Sequence, residues 1–188
     1  RNHDQAFELK RGAMERYVMI IIYMLIILLF LYLSKKIADR ITSFDDDDAI
    51  ERDKNLAVAI RRFGLYIGIC AAMAGVMGTG VRRVDYYYLI LDGVITLVLF
   101  FGAHYINDYL VVPDVKNNDL IVTGNLPVGF AEAGSFIATG ILLNGAFTGD
   151  AGGVFTAVVF FLLGQMTLVA AVKIHQKVYC FNITDCVK

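Results

Sequence analysis

The sequence predicts an all-helical protein that crosses a membrane five times, and three observations support this prediction. Hydrophobic residues make up 57% of the 188 residues, which exceeds the fraction of about 45–50% in soluble domains. Five stretches are long enough to supply the roughly 20 helical residues that cross a hydrocarbon core about 30 Å thick. No stretch alternates with a period of two, so the strands of a membrane barrel are not expected.

The five helices and their connections follow in order along the chain. The first segment, residues 17–34, is uncharged and apolar on all sides, which suits a helix with much of its surface in lipid. Basic residues follow it as a stop-transfer flank would, so we expect it to be retained rather than cleaved. The other four helices are predicted at about residues 57–81, 86–106, 126–147 and 151–172. The connections are a flank at 1–16, an acidic loop at 35–54, a loop at 111–124 and a tail at 179–188.

Basic residues indicate which helix ends face the cytoplasm. The N-terminal flank and the turn at Arg82 and Arg83 share one side with six Lys and Arg residues, and the other side holds eleven. Because cytoplasmic segments carry the excess of Lys and Arg, we expect the N-terminus outside and the C-terminus in the cytoplasm. Cys180 and Cys186 would then be free thiols in a reducing compartment, whereas the reverse topology would favour a disulfide between them. The third cysteine, Cys70, lies within the second helix.

One segment of the chain is repeated after two crossings. The stretch NLAVAIRRFG begins at Asn55, and NLPVGFAEAG begins at Asn125. Further matches are Gly64 with Gly134, Gly75 with Gly145, and Asp39 with Asp108. Since the period contains two crossings, both copies leave the same face of the membrane. The sequence therefore predicts a parallel repeat, with units at 55–110 and 125–178 after a half unit at 17–34.

This pattern of Asn, small and apolar residues, spaced glycines and a second apolar helix resembles the YjfL-type bacterial inner-membrane family. That family is a domain of unknown function built from tandem two-helix units. The resemblance covers about residues 17–178, and the chain has one helix more than the four of the short members. The resemblance implies a bacterial cytoplasmic-membrane location and assembly into a larger unit. It transfers no catalytic residue.

Small residues line one face of the second and the fourth predicted helix. These faces consist of Ala57, Gly64, Gly68, Ala71, Gly75 and Gly78 on the second helix, and of Ala131, Gly134, Ala138 and Gly145 on the fourth. Close backbone approach through small residues brings membrane helices into contact. We expect the two faces to contact each other, or to contact identical faces on another subunit. The alternative is that the glycines reflect their general frequency in membrane helices.

Ionisable residues in the crossings are the candidates for a polar path or an ion pair, since a charge at the bilayer centre costs at least roughly 2.5–3.5 kcal/mol. The candidates are Arg62, Asp92, His104, Asp108 and Glu132, and Arg61 also lies at the edge of a crossing. Arg62 and Glu132 can reach the interface, form an ion pair with each other or take part in conduction. His104 and Asp108, spaced i, i+4, form either a hydrogen-bonded pair or a solvated helix end. Asp92 is either a proton or cation site or is hydrated from the outer surface.

Other polar features favour structural roles. Asn144 and Gln165 are candidates for hydrogen bonds between helices. The acidic run at 45–48 lacks the spacing and glycine of a calcium loop, so a solvated connection without a metal is expected. The sequence contains no nucleotide-binding loop, nucleophile motif or metal-ligand cluster, so we expect neither an enzyme nor a cofactor. A net charge of −1 without a basic patch gives no support to nucleic-acid binding.

Two functions therefore remain open. The first is a noncatalytic multipass inner-membrane subunit that self-associates, or docks to a partner complex, through its glycine-rich faces. The second is a small channel or an ion- or proton-coupled transporter that uses intramembrane Asp, Glu and Arg. Both place the chain in a lipid bilayer, and the first predicts a homo-oligomer or a larger membrane complex.

Overall fold

A computed structural model describes residues 2–42, 44–78, 86–111, 117–148 and 153–179. These residues form seven helices, with no strand among them. The helices are α1 (Asn2–Ile41), α2 (Asp46–Glu51), α3 (Leu56–Gly78), α4 (Tyr86–Val111), α5 (Asn117–Val122), α6 (Leu126–Phe147) and α7 (Gly153–Tyr179). The turn at Arg82 and Arg83, together with Cys180 and Cys186, lies outside the described residues.

Five of the described helices are long and apolar enough to cross a membrane, as predicted. The crossing segments are Met14–Ile41, Leu56–Met77, Leu89–Tyr109, Leu126–Phe147 and Val154–Ile174. Many large apolar side chains on these helices are exposed, such as Leu25, Val98 and Phe155. Because exposed apolar side chains are favourable in hydrocarbon and costly in water, the chain is a multipass protein of the lipid bilayer.

The first helix is longer than the predicted segment at 17–34. It continues through Lys35 and Lys36 to Ile41, since no proline interrupts the chain before residue 113. Residues 35–41, which the sequence assigned to the acidic loop, therefore belong to α1. Both predicted loops also contain a short helix, α2 in the first and α5 in the second. Asp45 begins α2 by accepting hydrogen bonds from the Asp47 and Asp48 amides at 2.8 and 3.3 Å.

The same order of elements occurs twice, with a long helix, a short helix and a second long helix in α1–α3 and again in α4–α6. Each short helix is followed by a residue with positive φ, Lys54 at 52° and Gly124 at 85°. An asparagine comes next in both copies and caps the following helix. The Asn55 side chain accepts from the Ala57 amide at 3.0 Å, and that of Asn125 accepts from the Val128 amide at 3.3 Å.

Asn55 also connects the two copies. Its side-chain amide donates to the carbonyl oxygens of Ile121 and Val122 at the end of α5, both at 2.9 Å. One side chain thereby satisfies groups at the start of α3 and at the end of α5, which helix geometry leaves without partners. The two short helices and the starts of α3 and α6 therefore lie at one end of the bundle, which we call the polar end.

The centre of the fold is the contact between α3 and α6, the most extensive helix pair among the described residues. The helices run parallel, because Ala57 contacts Gly129 near their starts and Gly75 contacts Asn144 near their ends. Around them, α4 and α7 cover α6, while α1 packs on α3 and α4. The core beneath these contacts is apolar, with Ile69, Met73, Phe100 and Leu143 fully buried.

Candidate functional site

Glycines allow the backbones of α3 and α6 to touch. A Cβ atom added to Gly64, Gly68 or Gly75 would collide with backbone atoms of Ala133, Phe136 or Asn144, respectively. These three α3 glycines therefore face protein in the bundle, as the sequence indicated for their helix. Ala57 of the same predicted face is fully buried, while Ala71 is half-buried and accepts a hydrogen bond from the Asn144 side chain at 2.8 Å.

The contacting face of α6 differs from the predicted one. Gly129 and Gly140 approach the α3 backbone, with the Cβ positions colliding with Ala57 and Gly68. Gly134 and Gly145 have open space around their Cβ positions and are exposed, as is Ala131, while Ala138 is half-buried. The expectation that the predicted α6 face meets α3 within one chain is therefore wrong. The reason is rotational: the repeat aligns Gly134 with Gly64, but the buried side of α6 is set by packing against α4 and α7 as well.

Arg61 is the centre of a charge cluster at the polar end. It lies in the second turn of α3, is 5% exposed, and donates from Nη2 to both oxygens of Asp46 at 3.1 Å. Its Nη1 donates to Asn118 Oδ1 at 3.2 Å. Asp46, in the first turn of α2, is 2% exposed. A buried guanidinium with this many donors requires fixed acceptors, and α2 and α5 supply them.

Arg62 and Lys35 extend the cluster toward solvent by sharing one carboxylate. Asp47 accepts from Arg62 Nη1 at 2.5 Å and from Lys35 Nζ at 2.6 Å. Arg62 also lies 3.8 Å from Asp39 and 3.7 Å from Asp46. The charge cluster thus joins helices α1, α2 and α3, and it contains residues of the acidic run that the sequence assigned to a solvated connection. That expectation is wrong for Asp46, because a buried Arg61 requires a buried counter-charge.

The pKa values of Asp46 and Asp47 in α2 shift in opposite directions in this environment. Burial raises the pKa of Asp46 above its usual range, although the nearby Arg61 and Arg62 act against the shift. The pKa of Asp47 is lowered by its hydrogen bonds from Lys35 and Arg62. Asp46 is therefore held as an anion at a cost by its guanidinium partner, whereas Asp47 is stabilised as an anion.

Glu132 is the least compensated carboxylate of the cluster. It lies in the second turn of α6, is 4% exposed, and its nearest cation is Arg61, whose Nε is 3.9 Å from Oε2. This distance is too long for a hydrogen bond, and Oε2 has no hydrogen-bond partner among the described residues. The possible ion pair of Glu132 with Arg62 is wrong: Arg61 occupies that place, since one residue along a helix turns the side chain by about 100°.

His104 and Asp108 of α4 lie beside the cluster. His104 Nε2 is 3.5 Å from Asp108 Oδ2, and the imidazole ring packs on Phe136 of α6 at 4.4 Å between centroids. The Asp108 side chain is 42% exposed and that of His104 is 12% exposed. Asn117 of α5 donates to Asp108 at 3.2 Å. The pair therefore has one member in contact with solvent and one in the bundle, where His104 Nδ1 has no partner among the described groups.

Polar side chains also continue into the membrane-spanning part. Gln165 of α7 donates to Asn107 of α4 at 2.5 Å, and Asn107 donates to Ser135 of α6 at 3.0 Å. Gln165 and Asn107 together thereby join three helices. Gln165 and Asn144 both form hydrogen bonds between helices, as the sequence predicted. Besides Glu132 Oε2, buried oxygens without a partner among the described side chains and main-chain groups occur in Asp39, Asp92, Thr96, Thr139 and Gln165. Asp92 and Thr96 are one turn apart on α4, on the side of the membrane away from the polar end.

The site residues predicted from the sequence do not include Arg61, Asp46 or the α5 asparagines. The sequence feature that indicates a contact between Asp46 and Arg61 is the acidic run at 45–48, which lies close along the chain to the adjacent arginines 61 and 62. The contribution of α5 carried no such signal, because Asn117 and Asn118 read as ordinary loop residues. The described residues contain no group of three or more His, Cys, Asp or Glu side chains that could hold a metal ion.

The comparisons with known proteins agree with this architecture. No curated protein and no solved structure matches the chain. One family model, described as Domain of Unknown Function (DUF350), matches twice, at residues 12–147 and at residues 85–188. The first match spans α1 to α6, and the second starts at the beginning of α4, as tandem units would require. On this match the chain belongs to the DUF350 family, a domain of unknown function.

Proposed function

We propose that the chain transports a small cation across the membrane, with Glu132 as the carboxylate at which the cation is held. The observation that carries this proposal is the burial of Glu132 with an oxygen that no described group fills. An ionisable side chain within a membrane is costly and marks an ion pathway more often than a stabilising contact. Here the carboxylate faces the interior of the bundle, where a transported cation could balance it.

The remaining buried polar groups support a path beyond this carboxylate. Thr139 lies two turns farther along α6, about 10 Å by helical rise, and Thr96 and Asp92 follow on α4. Phe100, Met73 and Leu143 fill the intervening core. A cation would therefore move through a rearrangement of the helices rather than along an open pore, which favours a transporter over a channel.

Flux through proteoliposomes of the purified chain tests this function. With a pH gradient or a gradient of Na⁺ or K⁺, we expect flux above that of protein-free vesicles, and we expect Glu132→Gln to reduce it at least tenfold. Glu51→Gln is the matched control, since Glu51 is exposed on α2 at the same end. Equal flux in Glu132→Gln and the unaltered chain, or no flux for any of these cations, would contradict transport.

A second function is favoured by the exposed side of α6. Gly134 and Gly145 leave open space on that side, so a second copy of the chain or another membrane protein could approach closely there. In this case the chain is a noncatalytic subunit of a membrane assembly.

We expect the assembly to dissociate in mild detergent when Gly134 and Gly145 are changed to Leu. Gly102→Leu, at an exposed and open position on α4, is the control and should leave the stoichiometry unchanged. An unaltered chain that is monomeric and purifies without any other membrane protein would exclude this function.

A further inference from the structure

The charge cluster is short of one positive charge. Ion pairs connect three basic side chains with four acidic ones into a single network, made of Lys35, Arg61, Arg62, Asp39, Asp46, Asp47 and Glu132. Asp46 and Asp47 accept hydrogen bonds directly from basic groups. Asp39 has no such bond, but its side chain is 30% exposed. The buried carboxylate with the least compensation is therefore Glu132. A buried network with an unbalanced charge is costly, and binding of one positive charge at Glu132 would neutralise it.

The geometry around Glu132 points to a proton as that charge. We propose that Glu132 Oε2 is a proton-binding site that takes its proton from the solvent at the polar end. This inference rests on the proposed transport function and specifies its substrate. Because the described residues provide no cluster of ligands for a metal ion at this point, one carboxylate oxygen without a partner is better matched by a proton.

Groups on every neighbouring helix are consistent with this assignment. From α3, Arg61 is the nearest cation, and its strongest contacts are to Asp46 of α2. From α4, the Asp108 charge acts on Glu132. The α5 side chains at this point, Asn117 and Asn118, are uncharged, and Asn117 is within hydrogen-bonding reach of the Glu132 carboxylate. From α2, the Asp46 charge also acts on Glu132. On α7 the exposed side chains of Lys173 and Lys177 are the described charges, and Gln165 is the buried polar group. No cation on these elements other than Arg61 approaches Glu132 among the described ion pairs.

A group open to water lies on the polar-end side of this site. The Asp108 side chain is 42% exposed, and its charge acts on Glu132. A proton taken from water at this end forms an O–H bond at Glu132 Oε2 and removes the negative charge of the carboxylate.

Infrared spectroscopy of the full chain in detergent tests the site without any flux measurement. At neutral pH we expect the C=O stretching band of a buried protonated carboxyl group. The band should be absent in Glu132→Gln, shifted in Glu132→Asp and unchanged in Glu51→Gln. Retention of the whole band in a well-folded Glu132→Gln would overturn the proposal. Displacement of the band by Na⁺ at constant pH would overturn it as well, because the site would then take a metal cation.

A normal band together with no flux in proteoliposomes would support proton binding and contradict transport, so the two proposals fail separately.

Discussion

Single glycines decide how closely the two central helices approach. The α3 and α6 backbones touch where Gly68 faces Gly140, since each lacks the side chain that would separate them. In hydrocarbon, where apolar side chains gain nothing by leaving their surroundings, such contacts supply much of the attraction between helices. A glycine that faces away from the contact, such as Gly134, brings no such gain and only weakens its helix.

The pair Gly140→Ala and Gly134→Ala separates these two effects. Gly140→Ala should destabilise the chain by about 1–3 kcal/mol, because its methyl group would overlap the Gly68 backbone. Gly134→Ala adds the same methyl group in open space and should be neutral or stabilising by up to ~1 kcal/mol. Thermal unfolding in a mild detergent measures both variants. Equal shifts in the two would show that the α3–α6 contact does not depend on Gly140.

At the scale of elements, the short helix α2 is held by charges rather than by an apolar face. Asp46 binds Arg61 in the interior, and Asp47 binds Lys35 and Arg62 nearer the surface. The apolar contacts of α2 are small: Ala49 is buried against the start of α3 and Ile121, and Ile50 packs on the same cluster. The docking of α2 therefore depends on the ionisation of its carboxylates, and the two aspartates contribute with opposite dependence on pH.

Asp47→Asn should change stability in a way that depends on pH. The pKa of Asp47 in the folded chain lies below the ordinary value of 3.8. Its contribution is therefore complete above pH 3.8 and is lost as the pH falls through the folded pKa. Because its side chain is about half exposed, we expect a loss of only about 1 kcal/mol for Asp47→Asn at pH 5–7, and a smaller loss below about pH 4.

Thermal unfolding of both proteins between pH 3 and pH 7 measures this difference. The control is Asp48→Asn, in which only an exposed pair with Arg52 is removed, and the expected effect is close to zero throughout. Asp46 acts in the opposite direction, since its raised pKa relieves a cost as the pH falls toward 3.8. A difference between the unaltered chain and Asp47→Asn that grows on acidification would contradict the docking role of Asp47.

For the whole molecule, the parallel α3–α6 pair fixes which connections share a side. Asn55 and Asn125 begin the two helices at the polar end, and the ends of both helices lie at the opposite side. The charge cluster, α2 and α5 all gather at the polar end. The molecule is consequently asymmetric across the membrane, with ionisable groups and basic residues concentrated on one side. By the distribution of Lys and Arg, we expect this side to be cytoplasmic.

Cysteine labelling tests this arrangement. In a chain whose three cysteines are replaced by Ser, Asp53→Cys and Thr123→Cys should react with an impermeant maleimide in the same population of oriented vesicles. Thr148→Cys, at the end of α6, should react only in vesicles of the opposite orientation. All three positions are exposed, so labelling in detergent serves as the control. Reaction of positions 53 and 123 from opposite sides would exclude the parallel pair.

The sequence by itself determined the helical class and the five crossings, because the length and polarity of a segment are sufficient to predict whether it spans hydrocarbon. It also located the two asparagines and the α3 glycines, because a polar asparagine is costly in a membrane helix and the spacing of the glycines is visible in the chain. The family followed from the same local signals.

Only the tertiary structure decided which side chains meet. The choice of Arg61 over Arg62 beside Glu132, of Gly140 over Gly134 against α3, and the burial of Asp46 all depend on how each helix is rotated about its axis. That rotation is set by the sum of contacts with several neighbours, to which α2 and α5 contribute residues that look like loop. A difference of one residue turns a side chain by about 100°, so spacing along one helix is not sufficient to identify its partner on another.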